Sequence, residues 1–156
     1  MTAGRLSLVL PLLAAVLTGC GQSVAQRTPN AAKLPLVAGT RVAVKVQRCD
    51  KGANAFCGWE MVVVAPRYAS SEDLVKAEHD LLKDSGWTSG NADTDNQRAA
   101  DSPGHKLRVT YATDLYDLQA IDEERIKRSH KVALELSGTI FARTPAMSVL
   151  LEVGTS

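Results

Sequence analysis

Residues 41–66, RVAVKVQRCDKGANAFCGWEMVVVAP, hold two β-patterned runs joined by a segment that begins and ends in cysteine. In RVAVKVQR (41–48), Val42, Val44 and Val46 fall on one face of an extended chain, and Arg41, Lys45 and Gln47 on the other. GWEMVVVAP (58–66) is apolar on both faces and β-branched, as a central strand is. Gly52 and Asn54 supply turn residues between them. This order predicts an antiparallel hairpin with a long tip, with Cys49 and Cys57 at facing positions. Facing Cα atoms lie about 4.5–5.5 Å apart, within reach of a disulfide. The seven residues between the cysteines are unlike the two of a redox motif. No third and fourth ligand sit nearby at a zinc spacing, so no metal site is expected.

After Pro66, SSEDLVKAEHDLLKDSGW supplies serine caps at Ser70 and Ser71, acids in the first turn, and apolar positions at Leu74, Ala77, Leu81 and Leu82. Gly86 suits the C-terminal stop, and a helix is expected here. Trp87 begins a short strand or packs back on that helix. TSGNADTDNQRAADSPG (88–104) has no apolar period and is expected to be a long exposed loop. KLRVTYAT (106–113) alternates as a strand does. DLYDLQAIDEERIKRS follows with acids early and bases late, in accord with a helix dipole. Residues 131–143, KVALELSGTIFAR, fit a helix by the four-residue recurrence of Lys131, Glu135, Thr139 and Arg143. The same stretch also fits an alternating strand broken at Gly138; the helix is favoured. AMSVLLEV (146–153) completes the pattern as a final strand. The expected class is α+β: a small two-layer sandwich, its sheet mostly antiparallel, with two or three helices on one face.

The chain opens MTAGRLSLVLPLLAAVLTGC. Arg5 is a short positive region, and Leu6 to Leu17 form an apolar run of signal-peptide length. That run is shorter than the roughly 20 apolar residues that span a bilayer. Leu17-Thr18-Gly19-Cys20 resembles the lipobox of bacterial lipoproteins. The resemblance implies cleavage before Cys20 and acylation of its thiol, which would anchor the chain to membrane lipid on the outer face of the cytoplasmic membrane. Two or more acyl chains anchor stably where one binds marginally. The expected organisation is then a signal peptide at 1–19, a lipidated cysteine and flexible tether at 20–40, and one domain at 41–156. The tether, polar and carrying Pro29 and Pro35, would reach on the order of 25 Å. With Cys20 acylated, Cys49 and Cys57 remain as an even pair in an oxidising compartment, which adds to the case for a disulfide.

The full chain has 18 basic and 17 acidic residues; loss of Arg5 with the signal leaves 17 of each. A neutral chain offers no electrostatic footprint for nucleic acid or for anionic lipid, and neither is expected as a partner. His79, His105 and His130 are expected to be surface or boundary residues, since Glu78 and Asp80 beside His79 point in other directions on a helix. Asp93 and Asp95 are spaced as in a calcium loop but lack its glycine and glutamate. Arg125, Lys127, Arg128 and Lys131 face nearby acids and are expected to be self-paired. Trp59 and Trp87 are expected in or at the rim of the core. No catalytic motif appears and no cofactor is implied. These observations favour a non-enzymatic binding or scaffold module with an envelope partner. An envelope hydrolase with a site assembled from distant residues, and a small solute-binding lipoprotein, are the alternatives.

Overall fold

A computed structural model describes residues 28–49, 57–90, 93–114 and 139–154. Six strands form one antiparallel sheet: β1 (Arg41–Cys49), β2 (Cys57–Val64), β3 (Thr88–Ser89), β4 (Gln97–Asp101), β5 (Leu107–Ala112) and β6 (Ala146–Val153). Their order across the sheet is β1-β2-β6-β5-β4-β3, so the C-terminal strand lies in the middle. β2 and β6, each buried at six of eight positions, are the largely apolar runs that a central place demands. Helix α1 (Ser71–Asp84) lays Leu74, Val75 and Leu82 against Met61, Val63, Val109, Val149 and Leu151 of one sheet face. The α+β class and the antiparallel sheet expected from sequence are therefore present.

Both ends of α1 are fixed by local chemistry. Ser70 Oγ accepts from Asp73 N at 3.1 Å, a cap that stabilises by about 1 kcal/mol. At the other end Gly86 takes φ 81°. Trp87 N then reaches Leu82 O at 2.9 Å and Gly86 N reaches Lys83 O at 3.0 Å, the paired bonds of a Schellman stop. Trp87 and Leu82 both enter the core, so the stop also turns the chain inward.

The hairpin pairs as its sequence implies, with Cys49 opposite Cys57 and a disulfide between them at a Cα separation of 4.0 Å. An irregularity in the ladder between Val42 and Val44 breaks the expected valine stripe. Val42 pairs with Val63 and is 41% exposed, whereas Val44 pairs with Val62 on the opposite face. The hairpin tip at 50–56 lies outside the described residues.

Three expectations are corrected. First, residues 88–104 are not an exposed loop. They contain β3 and β4, and Ala99, Ala100 and Ser102 are buried. Gln97-Arg98-Ala99-Ala100-Asp101 has little intrinsic strand preference, and pairing with β5 overrides it. Second, residues 29–37 are packed on the domain, so the flexible tether does not extend to residue 40. Pro29 and Leu34 are buried, Ala31–Lys33 form a 3-10 turn capped by Asn30, and Trp59 Nε1 donates to Pro29 O at 2.9 Å. Third, α1 covers one face, but Ile140 and Phe141, in a helical stretch described over 139–141, pack with Val62, Val64 and Ala146 on the other. Within 131–143 this stretch is helical, and it lies beyond Gly138, where the two readings of the segment part. Residues 131–138, and the helix expected at 114–129 beyond Asp114, lie outside the described residues.

Candidate functional site

Two features gather polar side chains. The first is a seam along α1. Glu78 is four residues from Leu74, three from Val75 and four from Leu82, so helical geometry turns it inward with them. It is 2% exposed, and its Oε2 accepts from Val37 N at 3.0 Å, tying the N-terminal segment to the helix. Burial raises its pKa to about 7, with the Val37 bond opposing the rise. One residue on, His79 Nδ1 lies 3.1 Å from the hydroxyl of the fully buried Tyr111. Burial, reinforced by the negative charge of Asp93, pushes the Tyr111 phenol well above its ordinary value, while Arg98 opposes. Tyr111 therefore keeps its proton at neutral pH and acts as a hydrogen-bonding partner rather than a base. The seam fastens the helix to the sheet and to the N-terminal segment; no nucleophile and base meet there among the described residues.

The second feature is an open cleft of about 410 Å³ at one end of the sheet. It is lined by the N-terminal segment, with Asn30 and Lys33, and by the β4–β5 turn, with Ser102 and Lys106. Trp87 and Leu107 contribute apolar surface between them. The turn is shaped by Gly104 and His105 at φ 73° and 53°. It is closed by Leu107 N donating to Ser102 Oγ and Ser102 N donating to Leu107 O, both at 2.9 Å.

The residues singled out in the sequence fall as follows. Cys20, His130 and the basic residues 125–131 lie outside the described residues. Cys49 and Cys57 form the disulfide. Asp93 Oδ1 accepts from Ala99 N at 2.9 Å, so this carboxylate braces the approach to β4. Ser70 caps α1, but Ser71 Oγ accepts from Ala146 N at 3.1 Å and stitches the helix to β6 rather than capping it. His105 is exposed, 4.0 Å from Asp101. Trp87 is in the core, and the half-buried Trp59 carries Lys45 Nζ 4.1 Å from its ring centroid.

Sequence reasoning missed Glu78 and the cleft. The spacing of Glu78 from its inward neighbours was the available signal for the first; the Pro103-Gly104 pair, a turn marker between Ala-Ala and Leu-Arg-Val, was the signal for the second. Among the described residues no three His, Cys, Asp or Glu side chains are placed to hold a metal ion, and no helix is long and apolar enough to cross a membrane. Compared with protein-family models, curated proteins and solved structures, the chain matches none.

Proposed function

We propose that this chain is a bacterial lipoprotein, exported on residues 1–19, acylated at Cys20 and held on the outer face of the cytoplasmic membrane. There its α+β domain acts as a non-enzymatic binding or scaffold module for an envelope component. The observation that carries the reading is the Cys49–Cys57 disulfide. Structural disulfides belong to oxidising compartments, and with Cys49 and Cys57 joined the remaining cysteine of the three is Cys20, directly behind the apolar run and in the lipobox-like Leu17-Thr18-Gly19-Cys20. The N-terminal segment supports the same arrangement, because the domain is already packed at Pro29 and only a short stretch separates it from Cys20.

The test is metabolic labelling with palmitate in a bacterial host. The wild-type chain is expected to incorporate label and to fractionate with membranes, and Cys20→Ala to lose both. A Cys20→Ala chain that stays in the membrane fraction would place the anchor elsewhere.

A further inference from the structure

The cleft has a charge arrangement that the fold itself does not use. Lys33, from the N-terminal segment, and Lys106, from the β4–β5 turn, both line it, and among the described residues no carboxylate does. Among the described residues neither lysine has an ion-pair partner. The carboxylate nearest in sequence, Asp101 on β4, is already engaged 3.8 Å from Arg108 Nε and 4.0 Å from His105 Nδ1. Two like charges thus line one concavity, and among the described residues no carboxylate lines it with them. Asn30 adds to this: its Oδ1 is taken by Ala32 N at 3.0 Å, so the carboxamide has its N–H groups left to offer.

We propose that the cleft is a binding site for a phosphate ester, with the phosphate between Lys33 and Lys106 and its alcohol portion against Pro29, Pro103 and Trp87. The donor set distinguishes phosphate from carboxylate. Lysine acts as a point charge that suits a tetrahedral phosphate, whereas planar carboxylates are matched by the arginine fork, and no arginine lines the cleft. Thr28 on the rim is eight residues from Cys20, a span of at most about 28 Å of extended chain. On the lipoprotein reading, on which this step rests, the cleft stays within that distance of the bilayer. The phosphate could come from an anionic lipid headgroup or from a free ester; the chemistry recognised is the same.

The test uses the full chain carrying Cys20→Ala, so that no acyl group tethers it. The probes are sn-glycerol 3-phosphate, followed by calorimetry, and sedimentation with phosphatidylglycerol or phosphatidylcholine vesicles. Glycerol phosphate is expected to bind, and Lys33→Glu or Lys106→Glu to weaken it about tenfold or more. Lys76→Glu, a charge reversal at an exposed position on α1, is expected to leave binding unchanged. Phosphatidylglycerol vesicles that sediment the chain, with loss in the two cleft variants, identify the headgroup as the source. Binding of glycerol phosphate without vesicle binding identifies the free ester. The proposal is overturned if neither probe binds, or if Lys76→Glu weakens binding as much as the cleft variants do. A chain that takes up no palmitate yet binds glycerol phosphate refutes the anchor and not the site; one that is labelled but binds neither probe refutes the site and not the anchor.

Discussion

Glu78 makes the stability of this protein depend on pH in a direction opposite to that of a salt-bridged carboxylate. Burial raises its pKa from 4.5 to about 7 in the folded chain. A folded-state pKa above the unfolded value means that folding favours the protonated acid. The contribution is therefore fully present below pH 4.5 and is lost as pH rises through 7. A shift of that size corresponds to about 3 kcal/mol between the two limits. Glu78→Gln keeps an oxygen for the Val37 N–H but carries no charge at any pH. Urea denaturation of the wild type and Glu78→Gln at pH 4 and pH 8.5 isolates the effect, because all other titrating groups are common to both. The wild type should lose about 3 kcal/mol more than the variant between the two pH values. Equal losses, or a wild type that gains relative to the variant as pH rises, would refute the assignment of a buried, proton-holding Glu78.

Replacing both Cys49 and Cys57 with serine should cost roughly 2.5 kcal/mol, since the ring closed by the disulfide is short, and a urea midpoint measures it. Alkylation of denatured, unreduced protein from the envelope should find neither of these thiols free. Gly86→Ala forces a side chain into φ 81° with only Pro103 Cγ at 3.7 Å nearby, so the expected cost is the backbone strain of about 1 kcal/mol, read by thermal denaturation. Ala100→Asp places a carboxylate beside Val109 in the core, and circular dichroism should show either unfolding or a loss exceeding about 3 kcal/mol. A variant that stays within about 1 kcal/mol of wild type would mean that residues 97–101 are the exposed loop their composition suggests.

What was legible in the sequence follows from how directly each element is written there. β1, β2, β5, β6 and α1 announce themselves because their apolar periods, caps and breakers agree, and the final strand falls at 146–153 in both readings. β4 does not, because Arg98-Ala99-Ala100 carries no β-branched residue and owes its conformation to partners on β5 that are remote in meaning though near in sequence. The packing of residues 29–37 was hidden for a related reason. Pro29, Leu34 and Val37 show no period, and their places are set by Trp59 and Glu78, some 30 and 41 residues away. The disulfide was legible since cysteine spacing and hairpin geometry both point to it. The cleft was not, because Lys33 and Lys106 come to line one concavity only once the N-terminal segment and the β4–β5 turn are brought to the same end of the sheet.

The central claim is that Cys20 becomes the acylated first residue of an envelope protein. Mass spectrometry of the N-terminal peptide, taken from the membrane fraction of a bacterial host, tests it most directly. The expected spectrum shows a peptide beginning at Cys20 with a diacylglyceryl group on its sulfur, and Cys49 joined to Cys57. A chain that retains Met1, or begins elsewhere with an unmodified Cys20, would contradict it.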